Sequence, residues 1–378
     1  MTGLTDPDIV WTIWTLARVQ DDSENQTIEE YHVEGTTMTS RDLVIKTLNH
    51  EAAERVPRDL WILPGMETAR ADDLAEIEVR YPKDVLQPSF KYPPGTRAKG
   101  KPCRVGQYTD SWGCTWHVSR RGTTGEVTDP PLVRATEIDQ YQPPLELLDE
   151  TKLGKVNREC AATSRFMLAW TEARPFDRLR WLHGTEATLK DLAQDAQRIR
   201  NLLARLHEFF CRELQMWAGT DVDGIVFRDD WGSEEGLWMP PELWRDLFKP
   251  LYKEYCDIIH GGDKFVFFHS AGDISDIFSD LVKIGVDAVN SQLCAMNVER
   301  LAKRFRGRVT FWGEIDHQHT LPSGTPEEVR KAVLRLRKAL DFGSGGVIAQ
   351  CRWGMDTPIR NIAAAFDQWM LPLPMHVV

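Results

Sequence analysis

Short apolar, β-rich runs recur along the chain, and stretches with helical spacing separate most of them. Eight such runs stand out: DLWIL (59–63), DVLQPSF (84–90), RFMLAW (165–170), GIVFRDD (224–230), FVFFHSA (265–271), AVNSQL (288–293), VTFWGEI (309–315) and GGVIAQC (345–351). Runs of this length, apolar or rich in β-forming residues, read as strands. The intervening stretches carry helix signals. Residues 240–262 open on Pro240-Pro241 and end at Gly261-Gly262, proline inside the start and glycine at the end. Residues 325–343 start at Thr325, with acids in the first turn and bases later, which suits the helix dipole. Thr39 and Asp42 form a capping box ahead of Leu43, Ile45 and Leu48. Strand and helix in alternation imply a parallel sheet. Eight strands without the glycine fingerprint of a dinucleotide fold predict an α/β protein of the closed (β/α)8 kind, a TIM barrel.

Two segments depart from this rhythm. Residues 91–135 are rich in Gly, Pro, Thr and aromatics, and read as β-hairpins inserted after the second strand, where insertions shape a barrel mouth. Residues 1–37 read as a polar, acidic N-terminal extension, with an ordered, helix-like piece at 9–19, and residues 38–378 as the barrel domain. Two readings of the extension stay open: partial disorder, or contact with a second copy in a homodimer.

Composition narrows the class. The 378 residues hold 46 basic and 57 acidic side chains, a net charge of −11. That argues against nucleic acid as a partner, since phosphate backbones demand a basic surface. No apolar run reaches the 18 residues of a membrane span, so no membrane partner is expected, and the N-terminus lacks the pattern of a signal peptide. Seven scattered cysteines are not a disulfide framework, and a reducing cytoplasm is the expected setting. Fourteen tryptophans are many. Trp231, Trp312 and Trp353 fall beside strand ends, where they can wall a substrate pocket.

A TIM barrel keeps its chemistry at the C-terminal ends of its strands. Strand four ends in Asp229-Asp230, strand five in His269, strand seven in Glu314-Ile315-Asp316 and strand eight in Cys351, with Cys294 just past strand six. His269, Cys294 and Cys351 come from neighbouring strands, and a histidine with two thiolates and an open position is a catalytic zinc arrangement. Against this stand the ordinary roles: a strand-end cysteine is commonly a small buried hydrophobe and a lone histidine is commonly hydrogen-bonded. Asp229, Asp230 and Glu314 are candidates for acid, base or donor-positioning work, with a helix cap as the ordinary alternative. Asp316 shares a strand face with Glu314 and is a candidate substrate contact. His317 and His319 read as solvated rather than ligating, and Arg352 and Asp356, which flank Cys351, fit a site role and a loop salt bridge equally well.

The segments TSRDLVIKTLNHEAAERVPRDLW (39–61), DGIVFRDDWGS (223–233), KFVFFHSAGDI (264–274), FWGEID (311–316) and GTPEEVRKAV (324–333) together resemble the uroporphyrinogen decarboxylase-like superfamily, and most of all its corrinoid-linked methyltransferase branch. The resemblance spans residues 38–372. It implies a (β/α)8 barrel and a zinc ion held by a His-x-Cys pair at strand five and a distant cysteine at strand eight. Carried over, these are His269 and Cys351. Ala271 stands where the second cysteine belongs, and Cys294 is the expected substitute.

The resemblance further implies methyl transfer from a small methylated donor, of the methyl ether or methylamine type, to a corrinoid on a separate protein. Zinc would polarise the leaving group. Two alternatives stay open. A cofactor-free decarboxylase of the uroporphyrinogen type would need more basic residues than Arg58 and Arg70 after the Arg55-Val56-Pro57 element. A metal-free barrel that only binds a small molecule is favoured by Ala271 and opposed by the carboxylates gathered at one rim.

Overall fold

A computed structural model describes residues 38–63, 65–120, 123, 125–233 and 235–372. The expected extension over 1–37 lies outside the described residues. Eight parallel strands form the sheet: β1 (Arg58–Ile62), β2 (Val85–Leu86), β3 (Phe166–Trp170), β4 (Gly224–Arg228), β5 (Phe265–Ser270), β6 (Ala288–Ser291), β7 (Thr310–Trp312) and β8 (Val347–Trp353). Their order is β1-β8-β7-β6-β5-β4-β3-β2. Asp84 bridges the remaining gap between β1 and β2. Its N–H donates to the Arg58 carbonyl at 2.9 Å, and its carboxylate accepts from the Arg58 N–H at 2.7 Å and from the Arg55 guanidinium. The fold is the expected (β/α)8 barrel, and each of the eight apolar runs supplies one strand.

Side-chain alternation sorts every strand into two faces. Phe166, Leu168, Val226, Phe267, Ala288, Trp312 and Ile348 fill the barrel interior, with Trp61 and Trp170 packed on them. The opposite parity, Leu60, Met167, Ile225, Phe268, Val289, Phe311 and Cys351, packs with the surrounding helices. The same parity carried to the strand ends brings Asp59, Arg228, His269, Asn290, Gln350 and Arg352 onto the inner face.

The Thr39–Asp42 capping box is present on the helix Ser40–Leu48, and Thr325 caps Pro326–Leu340. Residues 91–135 contain the expected hairpins, antiparallel strands Gly106–Thr109, Thr115–Val118 and Glu126–Asp129. Two boundaries differ from expectation. The helix expected over 240–262 is two helices, Pro241–Leu247 and Lys249–Gly261, because Pro250 is tolerated only in a first turn, so the helix restarts there. The run at 309–315 is a strand only to Trp312. It stops at Gly313, whose φ is +69° and where a Cβ would sit 2.5 Å from the Gln350 side chain, so only glycine fits.

The helix Gln197–Ala218 buries Leu202, Leu206, Phe209, Phe210, Leu214 and Trp217, and with them Glu213. Burial pushes the Glu213 carboxyl up to about 8, although the Tyr92 hydroxyl and the Glu172 N–H both donate to its Oε1. The folded protein therefore holds this proton where the unfolded chain, near 4.5, has released it. Stability from this group is present at low pH and is lost as pH rises from about 4.5 to 8, at roughly 1.4 kcal/mol per pH unit at most. Glutamine keeps an oxygen for both donors. Glu213→Gln should flatten the fall of Tm between pH 5 and 8 seen for wild type, as followed by circular dichroism. Parallel curves for the two proteins would remove Glu213 as the source.

Candidate active site

A cavity of about 680 Å³ opens at the C-terminal ends of the strands, lined among others by Asp59, Trp61, Trp170, Arg228, His269 and Arg352. A second, of about 320 Å³, shares His269 and Arg352 and adds Ala271, Gln292, Glu314 and His317. His269 and Arg352 thus stand between two halves of one mouth. Behind His269 the loops after β4 and β5 meet backbone to backbone: Gly272 has φ +76°, and a Cβ on it would sit 2.1 Å from the Gly232 carbonyl carbon.

His269 lies beside Arg228 on β4 and Asn290 on β6. The Asn290 amide nitrogen donates to the Trp312 carbonyl and to Gln350. That turns the Asn290 oxygen toward His269, 2.6 Å from Nδ1, so Nδ1 carries the hydrogen. Nε2 is left on the Asp230 side, 3.8 Å from its carboxylate. A neutral His269 presents a lone pair there, and a protonated one presents an acid proton beside a carboxylate. Asp230 is held by the Ala271 N–H at 3.0 Å.

Lys83 on the cavity wall pairs with Glu78 at 3.5 Å, whereas the two arginines of the mouth have no carboxylate partner among the described residues. Arg228 lies over Trp170 at 5.3 Å, and its Nε is buried without a hydrogen bond. Arg352 reaches only His317 Nε2, at 3.5 Å. Among the described residues no Asp or Glu lies within 4.0 Å of either guanidinium. Unpaired arginines in a cavity are costly to keep unless an anion visits. Sequence reading missed Arg228 and misplaced Arg352, since Asp356 pairs with Arg120 of the hairpin insertion instead. Strand parity held the signal: 228, 269 and 352 continue the inward positions of their strands.

Aromatic rings floor the cavity. Trp61, Trp170 and Trp312 pack edge to face or tilted at 5.0–5.9 Å, and Trp61 meets the His269 ring at 5.2 Å. The indole N–H groups of Trp61 and Trp312 both donate to Asp59, at 2.7 and 2.8 Å. Burial nevertheless raises the Asp59 carboxyl to about 6. On the other wall Glu314 is buried and accepts from His317 Nδ1 at 2.6 Å. His317 is therefore held in the site rather than solvated. His319 is the exposed one.

The remaining sequence candidates fall elsewhere. Asp229 does not line the cavity. It is fully buried and accepts from the N–H groups of Phe176 and Asp177 at the start of the helix Pro175–His183, and from the Tyr252 hydroxyl. Trp231 stacks on Phe176 at 4.1 Å in the helical layer. Trp312 is in the floor, covered by the other indoles. Trp353 points outward, under Arg70. Asp316 accepts the backbone N–H groups of Gln318, His319 and Thr320 and so shapes its own loop.

The expected zinc set is not assembled. Cys351 sits opposite Leu60 on the helix-facing side of β8, and burial pushes its thiol up to about 12. Cys294 is exposed on the short turn Leu293–Ala295. His269, Cys294 and Cys351 do not form a group able to share one ion, whereas His207, Cys211 and Glu254 on outer helices do. Strand alternation explains the miss: a cysteine one residue before the inward Arg352 must face outward. The mouth does not fit a histidine–dithiolate zinc ion.

No helix among the described residues is long and apolar enough to cross a membrane. No curated protein matches the chain. Among solved structures, a methyltransferase from Methanosarcina mazei aligns with TM-score 0.61 at 15% identity, covering 88% of this chain and 98% of its own. A xylanase from Gloeophyllum trabeum gives 0.44 at 10% identity, covering 86% and 99%, and a 3-keto-D-glucoside 4-epimerase from E. coli gives 0.38 at 13%, covering 64% and 95%. The first likeness is one of fold, and the other two are too distant to argue from. The family model for uroporphyrinogen decarboxylase (URO-D) matches residues 113–369, more than half of the chain, from the hairpin insertion through β8. By fold and by this match, the chain belongs to the uroporphyrinogen decarboxylase family.

Proposed function

We propose that this protein transfers a methyl group from a small, flat, carboxylate-bearing methyl ether to the corrinoid of a separate protein, with His269 serving the leaving oxygen. The observation that carries the reading is the pair Arg228 and Arg352, unpaired on either side of His269 above a tryptophan floor. Two free guanidiniums favour a carboxylate donor and oppose a methylammonium one. The resemblance to corrinoid-linked methyltransferases and the fold likeness to one methyltransferase support the reaction class.

The residues divide the work as follows. Arg228 and Arg352 hold the carboxylate, and Trp61 and Trp170 flank the flat body. Asn290 fixes the tautomer of His269, and Asp230 stands on its Nε2 side. As the carbon–oxygen bond breaks, the methyl carbon passes to the acceptor, the electron pair stays on oxygen, and the His269 Nε2 proton neutralises it. This acid role stands where a Lewis acid would otherwise be needed, and no step depends on zinc.

A second reading has one specific support: paired arginines with a histidine acid also suit metal-free decarboxylation, in which the proton goes to carbon. The test is turnover of carboxylated aryl methyl ethers by the full chain with a reduced corrinoid protein, followed by the corrinoid absorbance. Methylation that requires both proteins is expected. Arg228→Met should raise KM for the carboxylated ether about 10–100-fold, the value of a charge-assisted hydrogen bond, and leave an uncharged ether unaffected. Release of CO2 without the corrinoid protein would overturn methyl transfer in favour of decarboxylation.

A further inference from the structure

Outside the mouth, one group of side chains has the make-up of a metal site. His207 and Cys211 are four residues apart on the helix Gln197–Ala218, so they share one face. Glu254 reaches them from the helix Lys249–Gly261. Their ligand atoms all lie within 4.8 Å of one another. Cys211 Sγ is 3.6 Å from His207 Nε2, and Glu254 Oε2 is 2.9 Å from the same nitrogen. Around a tetrahedral zinc ion, bonds of about 2.3 Å to sulfur and 2.0–2.1 Å to nitrogen and oxygen require separations of roughly 3.6 Å (S to N) and 3.4 Å (N to O). The first distance is met, but Sγ is also 3.7 Å from His207 Nδ1, beside the ring, so Cys211 must rotate toward the Nε2 side to share an ion. The second needs Glu254 to swing outward by about half an ångström, and its side chain, 57% exposed, is free to do so.

We propose that His207, Cys211 and Glu254 bind a zinc ion that clasps these two helices, with the fourth position open to solvent. Tyr255 completes the arrangement. Its hydroxyl is 3.2 Å from His207 Nδ1. By accepting the Nδ1 hydrogen it leaves Nε2 as the lone-pair donor, on the side of the Glu254 carboxylate. A mixed nitrogen, sulfur and oxygen set suits zinc and not magnesium or calcium. The buried Cys211 is held as a thiol without metal, so the ion must be thiophilic enough to displace its proton. The clasp has a consequence for the mouth, because the two helices lead directly into β4 and β5, the strands that end in Arg228 and His269. It is independent of the methyl-transfer reading, since none of its three ligands lines either mouth cavity.

The experiment uses the full chain stripped with a chelator and titrated with Co2+, whose bonds to thiolate absorb in the near ultraviolet, then with Zn2+. Wild type should show the cobalt–thiolate band at one equivalent, lose it on adding zinc, and gain Tm with either metal. Cys211→Ser and Glu254→Gln should lose the band and the Tm gain. Glu254 is exposed, so Glu254→Gln leaves the fold intact and keeps the test decisive. Cys294→Ser should bind as wild type does. No band in wild type, or a band that survives Cys211→Ser and disappears in Cys294→Ser, overturns the proposal, the latter by placing the ion at the mouth.

Discussion

Replacing His269 by glutamine will lower methyl-transfer turnover by about 10²–10⁴-fold, the range expected when a positioned general acid is removed. The loss will fall on kcat, with KM for the carboxylated ether little changed, because Arg228 and Arg352 remain to hold the donor. Glutamine can still donate to the Asn290 oxygen, 2.6 Å from the His269 ring, so the fold will persist and Tm will move little. Leaving-group acidity separates the acid role from a packing role. A more acidic leaving phenol needs less proton donation, so the loss in the glutamine variant will shrink as the phenol becomes more acidic. Asn290→Leu will act through His269: with the tautomer no longer fixed, kcat will drop while KM stays. A glutamine variant with wild-type kcat across the ether series would remove His269 from the chemistry.

His269 also shows how far the chain could be read before folding. Most of the strands were legible because a strand buried on both faces is written as an apolar run. Their C-terminal ends were legible as the place to look. Which side chain enters the mouth was legible in principle, because parity decides it: 265 and 267 point inward, so 269 does. The same counting on β8 selects Ile348, Gln350 and Arg352 and rejects Cys351. The expected zinc set was chosen by nearness to the strand end rather than by parity, and the structure separates its members for that reason. Two features were out of reach. Asn290 turns its oxygen to His269 only because Trp312 and Gln350 occupy its nitrogen, a fact of three strands at once. The Glu314–His317 pair depends on the path of a loop that no periodicity describes.

Asp229 is the other strand-end acid, and its expected effect lies in stability. Asp229→Ala will cost on the order of 3–5 kcal/mol of folding free energy, measured by denaturant unfolding, because three buried donors lose their acceptor together. They are the Phe176 N–H at 3.0 Å, the Asp177 N–H at 2.7 Å and the Tyr252 hydroxyl. The two N–H groups belong to the first turn of the helix Pro175–His183, where intrahelical partners are lacking. The Tyr252 hydroxyl accepts in turn from the Trp231 indole at 2.8 Å, so the loss spreads into the stack of Trp231 on Phe176. Asp229→Asn will cost less, about 1–3 kcal/mol, since an amide keeps one oxygen for two of the donors and turns its NH2 on the third. The asparagine protein will retain turnover per folded molecule within several-fold of wild type, in contrast to His269→Gln. That contrast keeps Asp229 apart from the chemistry: the chain turns Asp229 outward into the helical layer to anchor a helix, and leaves Asp230 at the rim, 3.8 Å from His269. A folded asparagine variant as inactive as His269→Gln would return Asp229 to the reaction.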